Sequence, residues 1–425
     1  MTAAAIAIFL VAYALIATER VHRVVAALAG GALMLLLQIL DAERAFHEPD
    51  TGIDWEVIFL LLGMMLIVAV LRRTGLFEYL AIWSAKRARG RPYRIMVILC
   101  VVTAVASALL DNVTTVLLVA PVTLLIAERL GVSPVPYLIA EVLASNIGGT
   151  ATLVGDPPNI IIGSRAGLSY MDFLVNLGPI ALVTLVVFLS LTRLLFRGDL
   201  VARPERVSEV MALDEREAIT DVGLLVRSLV ILAVVTVAFV LQTVLHYDPS
   251  VVALMGGGLL IAVSGRQVGD LVRDVEWETL LFFAGLFLMV GGLVEVGVLD
   301  ALADWAADVT GGRPLVATMV ILVVSAILSG FVDNIPYVAA MAPVVAALSA
   351  DLAGGEVLWW ALALGADLGG NATLVGASAN VVVAGIAGRS GHPIRFGEFL
   401  KYGVVVTAVS IAISAAYLWL RYFIV

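Results

Sequence analysis

Hydrophobic residues form long apolar runs along this chain, and short polar stretches separate the runs almost from end to end. A helix of about 20 apolar residues is long enough to cross the hydrocarbon core of a bilayer. The pattern therefore predicts an all-α polytopic membrane protein. The predicted spans lie at about residues 3–18, 22–40, 56–71, 136–165, 172–196, 224–245, 250–264, 278–294, 357–387 and 398–421.

Two more apolar stretches, at about residues 95–127 and 315–350, are predicted to be re-entrant hairpins. Each has two arms of about 15 residues, which is short for a crossing. An acid and an amide stand between the arms, as Asp111-Asn112 and Asp333-Asn334. Such a polar turn indicates a hairpin that enters and leaves by one membrane face. A single long tilted span is the alternative for the first stretch.

Glycine and proline break two of the predicted spans in their middle. The breaks read N-I-G-G-T-A-T-L-V-G-D-P-P-N at 146–159 and G-G-N-A-T-L-V-G-A-S-A-N at 369–380. Non-helical backbone at membrane depth is tolerated only where it is buried in protein or lines a wet cavity. Both breaks are therefore predicted ion or substrate sites.

The two halves of the chain match at a nearly constant shift. Asp54-Trp55-Glu56 aligns with Glu276-Trp277-Glu278 at a shift of 222 positions, and Gly148-Gly149 aligns with Gly369-Gly370 at a shift of 221. Five spans and one hairpin per half would turn the second half upside down relative to the first. We predict two inverted repeats, residues 1–196 and 224–425, joined by a cytoplasmic linker at 197–223, with their broken helices at the midplane.

Charged residues are sorted between the loops. Basic residues concentrate at 72–94, where an amphipathic interfacial helix is predicted, and at 197–224 and 388–396. Acidic residues concentrate at 41–55 and 295–312. The positive-inside rule places the basic loops in the cytoplasm. This predicts a multi-pass protein of the cell membrane, inner or plasma, with both termini external.

Composition narrows the possible functions further. The chain of 425 residues is 62% hydrophobic and 14% charged, with a net charge of −9, whereas soluble proteins carry about 25% charged residues. The sequence has no basic patch for nucleic acid, and its one cysteine, Cys100, excludes an intrachain disulfide. It also lacks a nucleotide-binding loop motif. We expect neither an enzyme nor a resident cofactor.

Acids and amides at the hairpin tips and helix breaks form the candidate site, because acidic residues inside a membrane are functional by default. Their oxygen ligands suit Na⁺ or a proton better than a soft metal. Helix capping is the alternative role for each polar residue. The predicted substrate- and ion-binding residues are Asp111, Asn112, Thr114, Thr115, Asn146, Gly148, Gly149, Thr150, Thr152, Asp156, Asn159, Asp333, Asn334, Asp367, Gly369, Gly370, Asn371, Thr373, Ser378 and Asn380.

A first Na⁺ or proton site is predicted at four of these residues: Asp111, Asn112, Asn146 and Asp156. Asp156 distinguishes the two half-sites, because its repeat partner is Ala377. Three other acids, Glu128, Glu141 and Glu356, lie nearer the ends of predicted segments and are interpreted as structural.

At these residues the sequence resembles the ion transporter superfamily, which includes arsenite permeases, NhaD-type sodium/proton antiporters and divalent-anion/sodium symporters. Within this superfamily it is most similar to the pink-eyed dilution (P protein) branch of arsenite-permease-like proteins. The resemblance rests on the two breaks and on L-D-N-V-T-T-V-L-L-V-A-P-V at 110–122 and V-D-N-I-P at 332–336. It implies a scaffold, a moving transport domain, an elevator mechanism and a homodimer. The symporters' Ser-Asn-Thr signature is replaced by Asp111-Asn112-Val113 and Asp333-Asn334-Ile335.

The sequence thus predicts a secondary active transporter that moves a small inorganic ion or oxyanion, arsenite-like or Na⁺, coupled to H⁺ or Na⁺. Its expected partners are the small ion, the lipid membrane and a second copy of the chain. One alternative is a Na⁺-coupled transporter of citrate or dicarboxylates. The other is an anion channel on the same fold.

Overall fold

The computed structural model describes residues 1–18, 20–48, 51–197, 211–212 and 214–424. The described chain is all-helical, with 80% helix and no strand. Helices of the first half are α1 (Thr2–Ala17), α2 (Arg23–Leu36), α3 (Ala42–His47), α4 (Trp55–Arg72), α5 (Leu76–Arg87), α6 (Pro92–Leu109), α7 (Asn112–Leu130), α8 (Val135–Gly149), α9 (Pro157–Ala166), α10 (Tyr170–Asn176) and α11 (Gly178–Leu195).

The second half follows a short 3₁₀ turn at Glu215–Ala218 and ends in a π-helical turn at Leu420–Ile424. Its helices are α12 (Val222–Val240), α13 (Gln242–Leu245), α14 (Pro249–Ser264), α15 (Val268–Arg273), α16 (Trp277–Glu295), α17 (Val298–Thr310), α18 (Pro314–Phe331), α19 (Asn334–Asp351), α20 (Val357–Gly369), α21 (Ser378–Arg389) and α22 (Phe396–Trp419).

Eight helices of the described chain are long and apolar enough to cross a membrane. They are α4, α6, α7, α11, α12, α16, α18 and α22 with its π-helical extension. Four shorter apolar helices are α1, α2, α14 and α20. The protein is therefore a polytopic all-α membrane protein, as predicted.

The hairpin arms are longer than the sequence predicts. They contain 18 and 19 residues in α6 and α7, and 18 each in α18 and α19. The estimate of about 15 residues was wrong because helix α6 starts early, with Pro92 in its first turn, and α7 runs on to a left-handed Gly131. The turns between arms are only two residues long, 110–111 and 332–333.

The breaks lie where the sequence places them, and other details differ. Helix α8 ends at Gly149 and α9 begins at Pro157, while α20 ends at Gly369 and α21 begins at Ser378. The predicted span 172–196 is two helices, α10 and α11, because Pro179 starts a new helix there. The short helices α3 and α15 lie between predicted spans.

Close helix crossings join the two halves. Helix α4 packs along α14, and α16 packs along α2. A Cβ on Gly63 would lie 2.4 Å from the carbonyl carbon of Ala253, and one on Gly285 would lie 2.6 Å from that of Ala27. Small residues let helix backbones approach this closely. Because the two helices of each crossing come from different halves, these crossings join the halves.

The helices around the tips also exchange partners. Helix α6 packs along α8, and α18 packs along α20, each within one half. In contrast, α7 packs against α21 and α19 packs against α9. The second arm of each hairpin therefore lies against the helix that follows the break in the other half.

The start of the second half is tied to the α4–α5 junction. The Thr220 amide donates to the Thr74 carbonyl at 3.0 Å, and Lys86 forms an ion pair with Glu215. The hydrogen bond from Lys86 lowers the pKa of the Glu215 carboxyl below its usual value.

Candidate functional site

Asp156 lies at the point where the two hairpin tips meet. It precedes α9 directly and is 1% exposed. The Asn112 side-chain amide donates to Asp156 Oδ2 at 2.7 Å, and the Asn334 amide donates to Asp156 Oδ1 at 3.3 Å. Asn112 and Asn334 are the first residues of α7 and α19. One buried carboxylate therefore accepts a hydrogen bond from each tip.

Asn146 connects the two breaks. Its Oδ1 accepts from Asn112 Nδ2 at 3.1 Å. Its own Nδ2 donates to Oδ1 of Asn371 at 2.9 Å and to Oδ1 of Asn380 at 3.1 Å. All of these side chains are buried. A continuous network of amides thus runs from Asp156 into the second break.

Asn159 and Asn380 both cap the carbonyl groups that the breaks leave free. Asn380 Nδ2 donates at 2.9 Å to the carbonyls of Gly370 and Thr373. Asn159 Nδ2 donates to the Thr152 carbonyl at 3.0 Å. The side-chain oxygens of the two residues differ in their hydrogen bonding. Asn380 Oδ1 accepts from Asn146, whereas Asn159 Oδ1 accepts from no described residue. Asn380 thus combines the capping role with a place in the network.

Several buried acceptors of the described site have no hydrogen-bond partner. They are Asn112 Oδ1, Thr115 Oγ1, Asn159 Oδ1 and both carboxylate oxygens of Asp367. Thr150 and Asn159 are polar neighbours of Asp367. Leaving a buried acceptor unpaired costs about 1–3 kcal/mol, more for a charged group. A buried carboxylate whose oxygens accept no hydrogen bond, as in Asp367, suits a proton or a bound cation.

Three other carboxylates lie close enough to act on Asp156. Asp156 interacts electrostatically with Asp367, Asp333 and Asp111. Asp111 caps α7 by accepting the Thr114 amide at 2.7 Å. Asp333 caps α19 by accepting the Ile335 amide at 3.1 Å. The capping role weighed for the tip acids is therefore present in both, beside their electrostatic role.

The remaining predicted residues lie at the breaks and at the hairpin tips, and two of them bond a break to a hairpin. Thr152 Oγ1 donates to the Ala108 carbonyl at 2.6 Å, and Thr373 Oγ1 donates to the Gly330 carbonyl at 2.5 Å. Thr150 Oγ1 donates to the Asn146 carbonyl at 2.8 Å. Four predicted glycines are buried: Gly148, Gly149, Gly369 and Gly370. Thr114 lies at the first tip beside Asp111, and Ser378 lies beside Asp333.

Two residues near the site were not selected from the sequence. Glu141 was interpreted as structural, yet it is 2% exposed in the middle of α8. Its Oε1 accepts from Thr123 Oγ1 at 2.7 Å, and its Oε2 has no partner. Arg23, at the start of α2, contacts Ser378 and Asp333. The position of Glu141 inside an apolar run could have indicated its burial from the sequence. Nothing in the hydropathy pattern pairs Arg23 with residues so far along the chain.

Known proteins resemble this chain over nearly its whole length. The YdaH transporter of Alcanivorax borkumensis has the same fold in its crystal structure, with a TM-score of 0.61, 15% identity, and coverage of 93% of this chain and 96% of that one. An uncharacterized transporter of Mycobacterium tuberculosis is 56% identical over 427 residues, covering 100% of this chain and 99% of the relative.

A further relative is the human P protein, 35% identical over 496 residues, which cover 97% of this chain and 59% of the P protein. The fold, the buried site and these relatives define a membrane transporter, with a lipid membrane and a small-molecule substrate as its partners. The model of the citrate transporter family matches residues 13–365, and the chain belongs to this family. The resemblance to the ion transporter superfamily and its P protein branch is confirmed.

Proposed function

We propose that this protein is a secondary active transporter of a small inorganic ion or oxyanion, coupled to H⁺ or Na⁺. The observation that carries the proposal is the position of Asp156 between the amides of Asn112 and Asn334. A proton or Na⁺ on this carboxylate would change how both tips are held. Loading of one buried group would thus affect both halves of the site, as coupling requires.

The donor chemistry supports a hard cation as the coupling ion. Asn112 contacts Asp156 through its nitrogen, so its unpaired Oδ1 belongs to the same small group of atoms. Asn146 Oδ1 and the Asp111 carboxylate complete the set predicted from the sequence. Carboxylate and amide oxygens are the donors that hard cations prefer.

Equivalent contacts in the two halves support the inverted-repeat part of the proposal. Ser107 Oγ donates to the Ser145 carbonyl at 2.7 Å, and at the matching positions Ser329 Oγ donates to the Ala366 carbonyl at 2.6 Å. Residues 1–196 and 224–425 would be the two repeats, each with one re-entrant hairpin, α6–α7 or α18–α19. The polar turn of each hairpin, and not the length of its arms, supports re-entry, because the arms contain 18–19 residues. The exchange of partners between hairpins and broken helices is what two interlocked repeats would produce.

We propose an elevator-type mechanism built on this division, as the family resemblance implies. The hairpins and broken helices would move as one body past the helices that cross at Gly63 and Gly285. A homodimer would hold the crossing helices fixed in the membrane. Alternating access and external positions for both termini are also part of the proposal.

A carboxylate substrate is the second candidate, with Na⁺-coupled uptake of citrate or a dicarboxylate. The observation that favours it is the match of residues 13–365 to the citrate transporter family.

Flux in reconstituted vesicles tests the proposal. Proteoliposomes are given imposed Na⁺ or pH gradients, and uptake of arsenite, Na⁺, chloride and citrate is measured one at a time. We expect gradient-driven accumulation of one of them and saturable counterflow. Asp156→Asn should lose at least about ten-fold of the gradient-driven flux, since a charged hydrogen-bonding group is removed. The matched control Asp304→Asn removes an exposed acid of α17 and should keep the flux.

Full gradient-driven flux in Asp156→Asn would contradict the coupling role of this residue. Flux without counterflow would identify an anion channel instead, because a channel has no carrier state to exchange.

A further inference from the structure

A cavity of about 350 Å³ opens between the first two helices and the second hairpin tip. Its walls come from the α1–α2 turn with Arg23, from the tip with Asp333, and from α21 with Ser378. The volume lies in the range of small-molecule sites. This cavity was not part of the site predicted from the sequence.

Arg23 is fixed in the wall of this cavity. Its Nη1 donates to Ser378 Oγ at 2.6 Å and lies 3.7 Å from Asp333 Oδ2. Its guanidinium carbon lies 5.4 Å from the centre of the Phe282 ring, a cation–π contact. These contacts hold the planar head of the side chain in one orientation.

The guanidinium keeps N–H donors that no described residue accepts from. Arginine has five N–H donors, and only Nη1 is hydrogen-bonded to a described residue. The Arg23 side chain keeps 33% of its surface exposed. Its free edge can bind a carboxylate or an inorganic oxyanion through two parallel hydrogen bonds.

Ser378 gives the cavity a second feature that favours anions. It is the first residue of α21, a helix of 12 residues. The start of a helix carries a partial positive charge and unpaired amide groups. Arg23 and this helix start therefore meet at one hydroxyl group.

Acidic neighbours oppose anion binding. Asp333 lies in the same cavity and accepts from Ser378 Oγ at 2.5 Å. Glu276 interacts electrostatically with Arg23. Next to Arg23, His22 lies 3.4 Å from Glu278. Without Arg23 the cavity would be acidic, so anion affinity would depend on this one side chain.

A second cavity, of about 240 Å³, provides a comparison within the same chain. It lies at the starts of α4 and α14 and against the broken helix of the first half, and it is lined by Glu56, Asp248 and Ser164. No arginine or lysine of the described chain lines it. The two cavities therefore differ in charge, and only the one at Arg23 suits an anion.

We propose that Arg23 and Ser378 form a subsite for the anionic group of the substrate, a carboxylate or an inorganic oxyanion. The proposal rests on the transporter function proposed above and assigns its substrate class. Asp333 then acts as a competitor that holds Arg23 when the subsite is empty. Removing Asp333 should therefore strengthen anion binding, whereas removing Arg23 should weaken it.

Equilibrium binding to the purified full chain in detergent tests this by calorimetry with citrate, sulfate and chloride. Wild type should bind citrate or sulfate, and which of the two binds identifies carboxylate or inorganic oxyanion. Arg23→Gln should weaken that binding about ten-fold or more, as expected for a charged hydrogen bond. Arg23→Lys should lie between the two, and Asp333→Asn should bind more tightly than wild type.

The control is Arg20→Gln, which removes the same charge from the same turn at an exposed position and should stay within about two-fold of wild type. Unchanged affinity in Arg23→Gln would overturn the subsite. So would equal weakening by Arg23→Gln and Asp333→Asn, because the pair would then only fasten two helices together. Absence of binding for all three anions would also overturn it.

The flux experiment and the anion-binding experiment can fail independently of each other. Loss of anion binding in Arg23→Gln with full coupled flux in Asp156→Asn would leave the subsite standing and reject the coupling site. The opposite pair of results would reject the subsite alone.

Discussion

Equivalent residues of the two halves have different roles at the scale of single side chains. Asp156 accepts from both tips, while its partner Ala377 has no polar side chain. The same holds for the buried pair Thr123 and Glu141, whose counterparts are Val345 and Leu362. The second half therefore has two apolar residues at the positions where the first half has the polar contact between Thr123 and Glu141.

Thr123→Val alone should destabilise the protein by about 1–3 kcal/mol, because it leaves both oxygens of the buried Glu141 without a partner. Adding Glu141→Leu should restore most of that loss, since two matched apolar side chains need no partner. Thermal unfolding of the purified variants in detergent would measure both effects. A double variant less stable than Thr123→Val would show that Glu141 stabilises the fold in another way.

Acids, amides and glycines stand out within apolar runs at this scale, so candidate site residues can be selected from the sequence. Asn112, Asn146 and Asp156 were selected together and lie in one hydrogen-bonded network. Arg23 was missed for a physical reason. Its contact with Ser378 joins positions 355 residues apart, and a pattern along one chain carries no signal for such a pair.

At the scale of helices, the spacing of glycines determines how closely the elements can pack. A Cβ on Gly148 would lie 2.2 Å from the Ala104 carbonyl oxygen, and one on Gly369 would lie 2.5 Å from Ala326 Cα. These positions are equivalent in the two halves. Each holds the first arm of a hairpin against the broken helix whose end carries the site.

Gly148→Ala should push α6 away from α8 and destabilise the protein by about 1–3 kcal/mol, as overpacking of a tight contact does. The matched control is Gly258→Ala, a helical glycine where an added Cβ would meet nothing within 4 Å. The thermal stability of each detergent-solubilised variant, monitored by size-exclusion chromatography, would distinguish Gly148→Ala from Gly258→Ala. Equal stability of both variants would show that the α6–α8 contact can relax without loss.

Helix boundaries were less predictable than the presence of helices. Glycine and proline within apolar runs identified the breaks at 146–159 and 369–380, since these residues act locally on the backbone. Hydropathy underestimated the length of the hairpin arms. Proline at the start of α6 and glycine at the end of α7, rather than apolar content, set the limits of these helices. The short helices α3 and α15 have no apolar run to reveal them.

At the scale of the whole molecule, each half completes the site of the other. Asn334 of the second half reaches Asp156 of the first, and Asn371 and Asn380 accept from Asn146. The constant shift between the halves predicts internal symmetry, which stays a prediction. The exchange of partners could not, because matching positions reveal likeness between segments and not which segments touch.

Cutting the chain within the linker at 197–223 tests this dependence. Fragments expressed alone should show no gradient-driven flux, since neither contains both amides that contact Asp156. Co-expressed fragments should recover a measurable part of wild-type flux in proteoliposomes, because the α2–α16 and α4–α14 crossings join the halves without a covalent link. Activity of either fragment by itself would contradict the shared site.

The shared carboxylate also has a consequence for biogenesis. Ribosomes add about 5–20 residues per second, so Asp156 is made about ten to forty seconds before Asn334. Throughout that interval a nascent first half would contain an acid at the broken helix without the second of its two amide partners. A buried acid that lacks part of its hydrogen bonding is costly in hydrocarbon. The first half should therefore stay beside the insertion machinery, or keep Asp156 protonated, until the second hairpin has entered the membrane.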